Sequence, residues 1–159
     1  MPKKPNPLAT FRVYPEGRFL YAEVNIWPNK TAMYRYNPLN RNHSASCKGT
    51  VVYNVPSKKS GKPVRRDGIF AELNFHRNAI GVEVVAHEMT HATFCWAERV
   101  KLPLEKITDE QNWKTGRKKA QALKTDGPEE RFCYALGIMT RQFTQKCYDL
   151  GFYKEVVQS

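Results

Sequence analysis

Val84-Val85-Ala86-His87-Glu88-Met89-Thr90-His91-Ala92-Thr93-Phe94-Cys95-Trp96-Ala97-Glu98 carries two histidines four positions apart, with a glutamate directly after the first. Around it, Val85, Met89, Ala92 and Trp96 recur at helical spacing, so residues 79–99 are expected to form a helix with Asn78 as its N-cap. Residues four apart on a helix share a face, and both imidazoles can therefore reach one metal ion. Glu88 stands beside the pair, where a carboxylate can take the proton of a water that zinc acidifies to a pKa of about 7. The alternative is a buried helix that carries two histidines by composition alone. In a chain with 4 histidines an accidental H-E-x-x-H match is expected on the order of half a percent of the time. The apolar flanks Val84, Val85, Ala86 and Ala92 would also bury the polar triad, and buried polar groups need partners that a metal supplies.

Two histidines are too few for a catalytic zinc site, which takes three protein ligands and a water. Position 94 is Phe and position 97 is Ala, so the extended H-E-x-x-H-x-x-G-x-x-H pattern fails. His43 and His76 lie upstream and read as surface or strand histidines. Downstream, Asp126-Gly127-Pro128-Glu129 is a helix start, and the expected helix runs from Pro128 to about Leu150 with Gly151 ending it. On that helix Phe132, Leu136, Met139 and Phe143 form a core stripe, whereas Glu130, Tyr134, Gly137 and Arg141 line another face. Gly137 is expected to let the two helices approach closely. Glu130 is the expected third ligand, with Glu129 as the alternative, because Glu129 sits where an acidic residue merely satisfies free N–H groups.

The N-terminal half reads differently. Residues 18–27, 31–36 and 50–55 alternate or run apolar between the breaks Pro28-Asn29, Asn37-Pro38 and Pro56, and are expected as antiparallel strands. Residues 69–76 alternate again, with Ile69, Ala71, Leu73 and Phe75 on the core side and Phe70, Glu72, Asn74 and His76 on the other. A basic stretch at 57–68 has the composition of a mobile loop, and residues 1–10 are expected to be flexible. The structure of residues 104–123 is not decided by their pattern.

Composition bounds the whole. A chain of 159 residues with 41% hydrophobic content fits one domain over 1–159. No run approaches the roughly 18 apolar residues of a membrane span, and no apolar region follows the charged, proline-containing start. Cys47, Cys95, Cys133 and Cys147 show no C-x-x-C spacing and read as free thiols of a reducing compartment, the cytoplasm. The formal charge of +11 favours nucleic acid or another acidic partner without naming an activity.

H-E-M-T-H at 87–91, followed by a separate helix with an early glutamate, resembles the gluzincin branch of zinc metallopeptidases. More narrowly, A-H-E-M-T-H-A with the later E-E-R-F-C-Y-A-L-G is similar to small stand-alone zincins of bacteria and their phages, in the latter case acting in the host-cell cytoplasm. Glu130 follows His91 by 39 positions, a separation in the family's range, and Tyr134 holds the position four after it, where several such families carry an acidic or aromatic residue. The resemblance spans residues 69–143. It implies an α+β, zincin-like fold, with an antiparallel-rich N-terminal sheet, an active-site helix and a C-terminal glutamate helix. It further implies Zn2+ held by His87, His91 and Glu130, Glu88 as general base, and a peptide or protein substrate. The strand 69–76 would edge the cleft, with Glu72, Asn74, His76 and Arg141 as substrate contacts. Tyr134, Tyr148, Tyr153, Arg141 or His76 would stabilise the oxyanion, and Tyr134 would otherwise orient a ligand histidine. The competing reading is a basic nucleic-acid-associated or host-factor-binding protein with this fold and no general proteolytic activity.

Overall fold

Alternating apolar residues along two stretches place the centre of the sheet. The structure, a computed structural model, describes residues 5–38, 43–49, 55–56, 63–64, 68–104 and 127–153. The elements in chain order are β1 (Ala9–Val13), β2 (Tyr21–Trp27), α1 (Lys30–Tyr36), β3 (Ala45–Gly49), β4 (Val55–Pro56), β5 (Pro63–Val64), β6 (Ile69–His76), α2 (Val82–Arg99) and α3 (Pro128–Asp149). The main sheet has the order β1-β2-β6-β3, and β4 and β5 form a separate small ladder. The class is α+β as expected, but the sheet is mixed. β1 pairs antiparallel with β2 and β3 antiparallel with β6, while the central pair β2 and β6 is parallel.

Register explains which face is buried. Ala22, Val24 and Ile26 lie opposite Ala71, Leu73 and Phe75, and all six are fully buried under α2 and α3. From the helices come Val85, Met89, Ala92 and Trp96 on α2, and Phe132, Met139 and Phe143 on α3. Phe143 packs on both Phe11 and Phe75, with ring centroids 5.9 and 4.9 Å apart. Side chains of this size contribute about 1.5–3 kcal/mol each when fully buried, so this layer is the main source of stability. On the opposite face α1 meets Trp27, whose ring lies 4.7 Å from that of Tyr36, and Glu72, which accepts from the Tyr36 hydroxyl.

Several expectations are corrected. Residues 31–36 form the helix α1, because the Asn29 side chain accepts from the Ala32 N–H at 2.8 Å and starts a helical turn that buries only Met33. α2 begins at Val82 with Gly81 as its N-cap, since Arg77–Ala79 forms a 3-10 turn that takes up Asn78. The first ten residues are not uniformly loose: Leu8 N–H donates to Ile26 O at 2.7 Å, and Ala9 and Thr10 already pair with β2. β3, Ala-Ser-Cys-Lys-Gly, was not anticipated, having no β-branched or aromatic residue to announce it. The expected strand at 50–55, the basic loop at 57–68 and the undecided stretch 104–123 fall almost entirely outside the described residues. α3 matches its expected limits, with Gly127 as N-cap, Pro128 in the first turn and Gly151 at φ +73° closing the end. Among the described residues no helix is long and apolar enough to cross a membrane.

Candidate metal centre

α2 turns one face to the sheet, so the residues between its apolar positions point elsewhere. His87 and His91 fall on the exposed side, one turn apart, and their Nε2 atoms stand 3.1 Å from each other with the rings edge to face. Two nitrogens bound to one tetrahedral zinc at about 2.0–2.1 Å would stand roughly 3.3 Å apart, so the observed pair fits a shared cation. Without a cation the same contact is a hydrogen bond between the two rings, one nitrogen donating and the other accepting according to tautomer.

Glu88 is only 8% exposed although the residue before it is open to solvent, because one step along a helix turns a side chain by about 100°. Burial raises its pKa, against the pull of His87, His91 and His43 in the other direction. The same carboxylate is felt by the Cys47 thiol on β3. α2 packs on β3 as well as on β6, which brings His43, just before β3, within electrostatic reach of Glu88. Pattern reading treated His43 as a surface residue, and no sequence signal marks it, since its nearness to Glu88 depends on β3 pairing with β6.

The third ligand does not join them. Among the described residues, no group of three His, Cys, Asp or Glu side chains is arranged to hold a metal. Glu130, Tyr134, Gly137 and Arg141 do share a face, as expected, and line a cleft of about 380 Å³ with Cys133 and Ile138. That cleft has no lining residue from α2. The contact of α3 with α2 is made instead by Phe132 against Phe94, centroids 4.9 Å apart, and along a groove of about 810 Å³ between Ala86 and Thr90 on one side and Leu136, Gly137 and Thr140 on the other. Glu129 is in phase with Phe132 and Leu136, and Glu130 with Tyr134 and Gly137; both are exposed, and neither lines the groove beside α2. Tyr134 is 62% exposed and makes no contact with either histidine that the geometry records. A Cβ on Gly137 would meet nothing within 4 Å, so this glycine does not mark a close helix approach.

The substrate contacts expected on β6 are also set apart. Glu72 and Asn74 face α1, not α2: Trp27 Nε1 donates to Asn74 Oδ1 at 2.8 Å, Asn74 Nδ2 donates to Glu72 Oε1 at 2.9 Å, and Tyr36 OH donates to Glu72 Oε2 at 3.2 Å. His76 is on that same face, opposite Trp27 in register, with its pKa lowered by burial and by Lys30. β6 is paired on both sides, so it has no free edge for an extended chain, and among the described residues the last strand of the sheet beside α2 is β3. Arg141 alone of the expected contacts borders the groove between α2 and α3.

The folded chain is thus an α+β protein with an H-E-x-x-H helix laid across a mixed sheet. No family model matches it, and neither a curated protein nor a solved structure does.

Proposed function

We propose that the protein is a zinc-dependent peptidase acting at His87, Glu88 and His91. The observation that carries this reading is the convergence of two Nε2 atoms at 3.1 Å beside a buried carboxylate. His87 and His91 would hold the metal, together with a carboxylate from the first turn of α3. Glu130 is the expected donor, with Glu129 as its alternative. When bound, zinc supplies a Lewis acid that polarises a peptide carbonyl and eases deprotonation of water. Glu88 takes the proton from the attacking water and passes it to the leaving amine nitrogen. β3, the last strand of the sheet beside α2 among the described residues, offers backbone groups to an extended substrate in place of β6.

The test is cleavage of a mixed peptide library with and without added zinc, alongside metal analysis of the purified protein. Glu88→Gln should keep zinc and lose cleavage by a factor on the order of 10²–10⁴, the usual range for a proton-transfer group. His87→Ala should lose both. Zinc bound equally by wild type and His87→Ala would end the proposal, and zinc bound with no cleavage of any peptide would leave the non-catalytic reading in its place. Glu129→Ala and Glu130→Ala in the same series decide the third ligand.

A further inference from the structure

Two thiols meet where β3 touches the histidine helix. Cys47 lies on β3 opposite Leu73, on the core side of the sheet. Cys95 lies on α2 one turn beyond His91. The Cys95 sulfur lies against β3 beside Cys47, and the two thiols shift each other in opposite directions, Cys47 upward and Cys95 downward in pKa. Room for that sulfur is made by Gly49, two residues along the same face of β3, where a Cβ would stand 3.1 Å from Cys95 Sγ. A thiol on the strand, a thiol on the helix and a missing side chain between them make the contact. Both cysteines are partly accessible, whereas Cys147 is fully buried and Cys133 is exposed on α3.

We infer that Cys47 and Cys95 form a reversible dithiol–disulfide site that ties β3 covalently to α2, with a low-molecular-weight disulfide of the glutathione class as oxidant. Cys95, as the thiolate, attacks one sulfur of the small disulfide. A mixed disulfide forms at Cys95 and one small thiol leaves. Cys47 then gives its proton to solvent and attacks Cys95 Sγ, the bond from Sγ to the small thiol breaks, and a second thiol is released. Two electrons pass from the cysteine pair to the small disulfide, and the two cysteine protons are matched by those the released thiols take up. The order follows from the coupling of the two thiols, which lowers the pKa of Cys95 and raises that of Cys47, so Cys95 is the attacking thiolate. Closing the bond sets the two sulfurs about 2.05 Å apart. The inference rests on the thiol pair and Gly49 alone and stands apart from the peptidase proposal.

The test uses the reduced full chain incubated with glutathione disulfide, then denatured, alkylated, digested and mapped by mass. The expected product is a crosslink of the Cys47 and Cys95 peptides, lighter by two hydrogens than the separate pair and reversed by dithiothreitol, with Cys147 recovered alkylated. In Cys47→Ser the reaction should halt at glutathione on Cys95. Recovery of both Cys47 and Cys95 as alkylated thiols overturns the inference, and so does a crosslink distributed among other cysteine pairs. The same Cys47–Cys95 preference in concentrated urea overturns it as well, because the pairing would then owe nothing to the fold.

Discussion

Asn74 is 1% exposed and joins an indole to a carboxylate: it accepts from Trp27 Nε1 at 2.8 Å and donates to Glu72 at 2.9 Å. Asn74→Ala leaves the buried indole N–H without its acceptor, and unpaired buried donors cost about 1–3 kcal/mol. Urea denaturation should show a loss in that range, with zinc content unchanged, since this network faces α1 and not the histidines. The alternation of β6 had assigned Asn74 to the side away from the core, and that much is right. What it could not convey is that a second helix covers that side, which turns an expected substrate contact into a structural one. Gly137 offers the opposite case. It sits inside α3 with open space where a Cβ would go, so Gly137→Ala should stabilise the protein by about 0.5–1 kcal/mol through helix propensity. A rise in the denaturation midpoint checks this, and a fall would mean that α3 packs more tightly against α2 than the geometry indicates.

At the scale of elements, helix ends were read more securely than strands. α3 stops at a glycine in the left-handed region, where Phe152 N–H reaches Cys147 O at 2.9 Å. α2 ends through the same bonding, Leu102 N–H to Ala97 O at 2.8 Å, yet the left-handed residue is Lys101 at φ +56°. A side chain in that conformation costs on the order of 1 kcal/mol. Lys101→Gly should therefore stabilise by about that amount, seen as a higher Tm at unchanged secondary structure. Strands gave less away. Tyr21–Trp27 and Ile69–His76 carry apolar runs that any pairing must bury, so both were legible, but their parallel pairing was not. β3 could not be read because Ala, Ser, Cys, Lys and Gly have weak strand preference, and it forms by hydrogen bonding to β6. α1 was misread because two turns of helix and a short strand differ mainly at the cap, and Asn29 decided it.

For the whole molecule, a ligand that binds only the folded state adds stability by mass action, about 2.7 kcal/mol at a hundredfold excess over Kd. Zinc at that excess should raise the Tm of the wild type and leave a His87→Ala, His91→Ala double variant unmoved; an equal shift in both would place the binding elsewhere. The bidentate pair of Arg131 with Glu16, 2.6 and 2.7 Å, links α3 to the turn after β1 but is exposed, and such pairs contribute about 0–1 kcal/mol. The core under α2 and α3 therefore sets the arrangement of the site. The sequence by itself determined the helix of His87, Glu88 and His91, its end at Arg99, and the limits of α3, because helical period, i to i+4 spacing and capping chemistry are local. Only the tertiary structure decided which strand ends the sheet, which residues stand beside Glu88, and which face of α3 meets α2. Those depend on pairings between residues far apart in the chain, and neither alternation nor spacing encodes the partner.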